Sequence, residues 1–460
     1  MTFPQLIIEA GFSPTSPAVA STDLLLDDPV YGLLDTGTLA DDTEWTDISD
    51  YVQDGTVTRP FTRQQGPLTL YQGGTATFTL NNSDGRFDPQ NLSGPYVSAG
   101  VTQVRPMIPV RMRAVYNGVT YYLFSGFATS WTPPPDNFGP NYDQTVLAAA
   151  DAFRALTNIN LATASAAGAG EDTGARITRI LEAAGWYSSS RGQSVIDTGN
   201  STLQATTFGA SALSLMQLAT DSEVGELYMD GQGRAVFRNR DAILTDTASG
   251  TVQGYFGSAG GSAGSGFLLS EAGGFLLSED GSSLLSEAGT AVPLLECTSL
   301  TRPSDDTTLA NDVQATNVGG TLQEAMDSAS VATYLFPRTY ARSDLILQTD
   351  TDALNWANYV LYLAGNSEYR IDQVTITPGN DPDGLFPQAL GRDFGDRIQV
   401  WKQPPGVAAY SVDLFVRGIT HSFSPVWWQT TWDTQNADRY SFFVLGDAIL
   451  GTLDDNALAW

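Results

Sequence analysis

The chain has 460 residues, 42% of them hydrophobic, and 51 acidic residues against 22 basic ones give it a net charge of −29. This length predicts two to four domains, and the apolar content is enough for packed cores, which excludes a disordered acidic tail. Lys402 is the only lysine, and no basic patch or Lys/Arg-rich tail occurs; so acidic a surface repels nucleic acid and excludes specific binding to it.

Residues 1–150 read as an N-terminal β domain. Its opening, "MTFPQLIIEAGF", has no basic start and no long apolar core, so no signal peptide is expected. No apolar run anywhere approaches a membrane span. The segment 16–44, rich in Asp, Pro, Gly and Leu, reads as an extension. In "TATFTLNNSDGRFDPQNLSGPY", Ala76, Phe78 and Leu80 alternate with threonines, the period of a half-buried strand. The polar cluster after it invites a calcium reading, because Asp84-Gly85 could supply positions 5 and 6 of an EF-hand loop. Positions 1 and 12 would then be Leu80 and Asn91, which cannot ligate as that loop requires. The expectation is a structural turn built from Asn82, Asp84, Gly85, Arg86, Phe87 and Pro89, with Phe87 returning to the core. Farther on, Asn117-Gly118 separates two strand-forming runs, a strong hairpin signal, with Val110, Met112 and Ala114 on one face.

Residues 151–245 read as a smaller α+β domain. Asp172 or Thr173 caps a helix that carries Ile177, Ile180 and Leu181 and stops at Gly185. A second helix near 211–221 aligns Ala212, Leu215, Met216 and Ala219, and a hairpin turns at Asp230–Gly233. Residues 246–292 contain a Gly/Ser/Ala linker and then an eight-residue repeat, "FLLSEAGG", "FLLSEDGS", "SLLSEAGT". Its apolar residues, Phe267, Leu268, Leu269, Phe275, Leu276, Leu277, Leu284 and Leu285, are too many for so short a segment to bury within itself. They form a candidate partner interface. Residues 293–460 read as a second β domain interrupted by a helical part at about 331–385. There a helix starts after Thr351 or Asp352 and stops at Gly365, with Ala353, Trp356, Ala357 and Val360 on one face. Trp356 and Trp427 are both expected in the core.

No catalytic constellation emerges. Gly260–Gly264 matches a nucleophile-elbow pattern, but within a Gly/Ser/Ala linker. His421 is the only histidine and reads as a hydrogen-bonded strand residue. Cys297, the only cysteine, excludes an intramolecular disulfide and a cysteine-rich zinc site, and reads as a buried strand residue. Lys402 is followed by Gln403 and so makes no phosphate-binding loop, and Gly168–Gly174 lacks dinucleotide spacing. The chain is therefore expected not to be an enzyme and to hold no cofactor or metal.

Several stretches, in order, resemble minor tail proteins of long-tailed phages of actinobacteria. They are "WTDISDYV", "GGTATFTLNNSDGRFDPQNLSGPY" and "RPMIPVRMRAVYNGVTYYLFSGFATSW", then "GARITRILEAAGW" and "ALSLMQLATDSEVGELYMDGQGRAVFRNR", and last "DFGDRIQVW" through "LGDAILGTLDDNALAW". The resemblance covers most of the chain; the 16–44 segment and the octads depart from it. It implies a mainly β fold with α+β parts, in which two tail-tube-like β-barrels flank the α+β domain. It also implies a structural virion protein at the tail tip, similar to the baseplate hub of contractile phages, assembled in the bacterial cytoplasm. Two barrels per chain imply a homotrimer facing a six-fold tube. The implied partners are the distal tail ring, the tape measure protein and other tip or fibre proteins, with DNA only in passage. A distal tail ring protein and a receptor- or carbohydrate-binding tail protein are the alternative readings.

Overall fold

The computed structural model describes residues 3–13, 44–63, 68–98, 100–133, 144–186, 194–257, 266–267, 292–302, 308–366, 370–402 and 410–440. The 16–44 extension (except its last residue), octad residues 268–290 and the tail from 441 lie outside them. Within the described residues the fold is mainly β, dominated by one 14-stranded sheet. Its strands are β1 (Gln5–Ser13), β2 (Glu44–Asp47), β3 (Val52–Arg59), β4 (Thr75–Asn81), β5 (Pro109–Tyr116), β6 (Val119–Thr132) and β7 (Gln144–Ala150) from the first third of the chain. The rest are β8 (Val252–Gly257), β9 (Leu295–Glu296), β10 (Ser299–Thr301), β11 (Gln373–Ile376), β12 (Arg397–Lys402), β13 (Tyr410–Ser424) and β14 (Trp427–Asn436).

The alternation read from the sequence decides which face each strand buries. Ala76, Phe78 and Leu80 of β4 and Val110, Met112 and Ala114 of β5 all point into one core. β5 and β6 form the Asn117-Gly118 hairpin, with positive φ at both turn residues (+49° and +78°), as a two-residue turn of matching twist requires. Arg111 and Arg113, on the opposite face of β5, reach across to Glu9 of β1 at 2.6 and 2.9 Å. Burial alone would raise the Glu9 carboxyl; hydrogen bonds from Arg113 and Arg111 instead hold it below the usual carboxylate range.

The sheet runs β2-β1-β5-β6-β7-β4-β3 and then continues without a break into β13-β12-β8-β9, with β14, β11 and β10 carrying it on from the other edge of β13. β13 makes this junction because it changes partner along its length. Tyr410–Phe415 pair with β12, a bulge falls between Val416 and Gly418, and Ile419–Phe423 pair antiparallel with Arg59–Gly55 of β3. Two closed barrels were expected. Among the described residues the sheet stays open, because β3 spends its second edge on β13 and β2 pairs with β1 alone.

Three helices fill the middle of the chain: α1 (Ala152–Asn158), α2 (Thr173–Ala183) and α3 (Ala212–Glu223). Asp172 caps α2 by accepting the Ala175 N–H at 3.0 Å, and Gly185 at φ +74° ends it. Two single-turn helices, Ala242–Thr245 and Thr247–Gly250, come next, and after them α4 (Ser328–Tyr334), α5 (Asp350–Ala364) and α6 (Pro382–Gly391). α5 begins at Asp350, ahead of the expected start, because Thr349 and Asp352 form a capping box with bonds of 3.1 and 3.0 Å. Its face of Ala353, Trp356, Ala357 and Val360 packs into the same core as Ile177, Ile180, Met216 and Phe237. The helices on either side of the linker and octads thus share one hydrophobic cluster.

α6 lies between the two β regions. Phe386 and Leu390 enter the core of the first, while Leu385 and Ala389 enter the core of the second. Trp427, expected inside, is 43% exposed. The Pro425-Val426 turn pairs Ser424 with Trp427, so alternation sends Trp428 inward instead, where it is 3% exposed.

Candidate functional site

Two constructions stand out: the Asn82–Phe87 turn and a buried polar junction among three parts of the chain. At the turn, the side-chain oxygen of Asn82 accepts the Phe87 N–H at 2.8 Å and its amide donates to Thr145 Oγ1 at 2.9 Å, tying the turn to β7. Gly85 sits at φ +70°, the left-handed region that favours glycine. Asp84 accepts the Arg86 N–H at 3.2 Å and pairs with its guanidinium, which also donates to the Tyr51 hydroxyl and lies 4.1 Å from the centre of that ring. Phe87 is fully buried, stacked between Tyr96 and Trp131 with Tyr51 edge-on. Pro89 lies half-buried just beyond. Leu80, first ligand position in the calcium reading, is a core side chain, and the amide of Asn91 donates to the Gly85 carbonyl at 2.9 Å. Among the described residues no group of three or more His, Cys, Asp or Glu could hold a metal ion.

The junction centres on Arg417, at the bulge where β13 changes partner. Its side chain is fully buried. It donates to Gln435 of β14 at 2.9 Å, to Tyr71 at 3.3 Å, to Tyr440 at 3.3 Å and to Glu226, with which it forms an ion pair. Tyr71 in turn donates to Glu226 at 3.1 Å. Tyr71 belongs to the first β region, Glu226 to the α+β part and Arg417 to the second β region. Burial opposes the charge on Arg417, but the adjacent Glu226 raises its pKa above the ordinary arginine value. A cavity of about 170 Å³ opens beside this network, lined by Asp221, Glu226, Arg238, Arg240, Asp393 and Tyr440 among others. The sequence reading missed the network. Its one local signal is an arginine in the otherwise apolar run "LFVRGI", and its partners stand up to 346 residues away.

The remaining candidates have ordinary packing roles. His421 is buried, 3.0 Å from Thr430 Oγ1 and edge-on to Trp428, and burial pushes its pKa down to about 3, so it stays neutral. Cys297 is buried just past the end of β9, and burial pushes its thiol up to about 11, which leaves it protonated. Phe267 is described only in its backbone: Gly266–Phe267 pairs antiparallel with Val292–Pro293, so the chain enters and leaves the octad insertion side by side. Leu268, Leu269, Phe275, Leu276, Leu277, Leu284 and Leu285 fall outside the described residues.

No protein-family model and no curated protein matches the chain. Solved structures do. A 43 kDa tail protein of prophage MuSo2 from Shewanella oneidensis is similar at 10% identity, over 95% of this chain and 98% of that one, with a TM-score of 0.49. A tail protein from Neisseria meningitidis MC58 is similar at 11% identity, over 85% and 93% of the two chains, with a TM-score of 0.48. A component of the Escherichia coli type VI secretion system, described as structurally similar to bacteriophage T4 tail proteins, is similar at 10% identity over 84% and 73%, with a TM-score of 0.38.

Proposed function

We propose that this chain is a structural protein of a phage tail tip, a hub that closes or adapts the distal end of the tail tube and lines part of the channel for the tape measure protein and DNA. The observation that carries this reading is the β3–β13 pairing, which joins the first and second β regions in one sheet. A hub that offers two tube-like units per chain needs them held in fixed relation. Here the shared sheet, the shared helix α6 and the Arg417 network all do so. The order of the sequence stretches that resemble minor tail proteins supports the same reading. Three copies around an axis would offer six such units to a six-fold tube. The net charge of −29 suits a passage to which DNA must not adhere.

In this reading the octad residues Phe267–Leu285 face a neighbouring tip protein. A density map of the assembled tail tip tests the proposal directly. Three copies coaxial with the tube are expected; six copies in a ring would make this the distal tail ring protein, and absence from the tip would remove the hub reading altogether.

A further inference from the structure

The hub reading gives no role to the cavity of about 170 Å³ beside the Arg417 network. All three parts of the chain wall it. Leu68 comes from the first β region, Arg238, Arg240 and Ile243 from the α+β part, and Phe394 from the second β region, with Leu363 of α5 between them.

Its charges are matched, with one exception. Five carboxylates line the cavity, and each already has an arginine. Asp221 pairs with Arg342 at 2.9 Å, Asp393 with Arg59 at 2.8 Å, Asp396 with Arg392 at 3.1 Å and Asp246 with Arg238 at 3.4 Å, while Glu226 pairs with Arg417. Arg240 also lines the cavity, 5.7 Å from the centre of the Tyr359 ring, but among the described residues no carboxylate pairs with its guanidinium. Glu223 accepts only its backbone N–H, at 3.4 Å, and also takes those of Asn200 and Ser201. One guanidinium is therefore left in surplus. Its planar fork suits a carboxylate, which it can hold by two parallel charge-assisted bonds.

The rest of the wall sets the shape of the ligand. Leu68, Val224, Ile243, Leu363 and Phe394 give the cavity an apolar side. A cavity of roughly 150 Å³ lined by aliphatic and aromatic side chains takes up benzene, so this one has room for a molecule of about that size.

We propose that the cavity binds a small carboxylic acid with a compact apolar body, its carboxylate on Arg240 and its body against Ile243, Leu363 and Phe394. Such a ligand touches all three parts of the chain at once and so stabilises their junction by mass action. The inference goes beyond the hub reading and is independent of it, since it concerns the purified chain.

Titration of the full-length chain with benzoate, followed by ligand-observed NMR, tests it. Benzoate is expected to bind with a Kd below about 1 mM, within reach of a ligand of its size. Benzamide, which lacks the charge, and acetate, which lacks the apolar body, should each bind at least about tenfold more weakly. Arg240→Gln should weaken benzoate by roughly tenfold or more and leave benzamide unchanged, because a charge-assisted bond is lost and no ion pair is broken. Ile243→Trp, which fills the cavity from its apolar side, should abolish binding of both. Benzoate should also raise the melting temperature of the parent and not that of Arg240→Gln. The comparison of benzoate with benzamide uses the parent chain alone and so holds whatever a substitution does to folding. Absence of saturable benzoate binding, benzamide bound as tightly as benzoate, or benzoate binding that survives either substitution in a folded chain would overturn the proposal.

Discussion

At the scale of single residues, two positions separate backbone demands from side-chain chemistry. Gly85 has no atom closer than 3.6 Å to where a Cβ would stand, so the objection to a side chain there is its φ of +70° and not space. Gly85→Val should therefore destabilise the fold by about 1–2 kcal/mol, with Gly85→Asn milder, because asparagine tolerates that region. Asp84→Ala should cost under about 1 kcal/mol, since its contacts with Arg86 are largely in solvent. Denaturant midpoints of the three variants check this ranking. Asp151 makes the second case. It is buried, caps α1 through the Phe153 N–H at 3.0 Å and also accepts the Gly74 N–H. Burial raises its pKa from the ordinary aspartate value to about 7, outweighing those two bonds and the nearby Arg59. A folded-state pKa raised in this way gives stability that is fully present below about pH 4 and is lost as pH climbs through 7. Burial likewise lifts Asp396 to about 6. The melting temperature should thus be higher at pH 5 than at pH 8, and the difference should shrink in Asp151→Asn.

At the scale of elements, the energetic questions lie where one element serves two neighbours. α6 sends Phe386 and Leu390 into one core and Leu385 and Ala389 into the other, so adjacent parts of its one buried side serve two neighbours while Asp383 and Gly391 lie exposed on the opposite side. Phe386→Ala should cost about 3–5 kcal/mol, the price of an aromatic-sized void in a packed core, and urea unfolding would measure it. β13 is the corresponding strand. Arg417→Ala would leave Glu226 facing a buried site without its ion-pair partner and should cost about 3–5 kcal/mol. Adding Glu226→Leu to an Arg417→Met chain should recover most of that loss, because an apolar pair of similar volume avoids the desolvation that the ion pair pays. Equal instability of the single and paired replacements would show that the network's hydrogen bonds to Gln435 and Tyr440, and not the unpaired charge, set the cost.

At the scale of the whole molecule, the octad insertion is separable from the sheet it interrupts. Its ends pair as Gly266↔Pro293 and Phe267↔Val292, so an Asn-Gly turn can replace residues 268–291 without moving β8 or β9. Loop closure of different lengths differs by only about 1 kcal/mol or less per doubling. The shortened chain should therefore melt within a few degrees of the parent while assembling into tails less well. Unimpaired assembly would show that the octads have no partner to meet. A large drop in melting temperature would place them in the fold itself.

The sequence by itself determined the local structure. Alternation in β4 and β5, the Asn117-Gly118 turn, the Asp172 cap and the Gly185 stop are each set by neighbours within a few residues, through steric limits on φ and the periods of strand and helix. It also holds a single histidine and a single cysteine, too few for a histidine-pair metal site or an intramolecular disulfide. What it could not determine was anything that depends on which distant strand completes an edge. The run "YSVDLFVRGITHSFS" reads as a strand under any topology; only the tertiary structure makes it one strand with two partners, with Arg417 at the change and Tyr71 and Glu226 brought to it from 346 and 191 residues away. Open sheet or closed barrel, and Trp427 outside with Trp428 inside, were decided in the same way. Backbone pairing is chemically alike at every strand edge, so register and partner are fixed by the packing of the whole core.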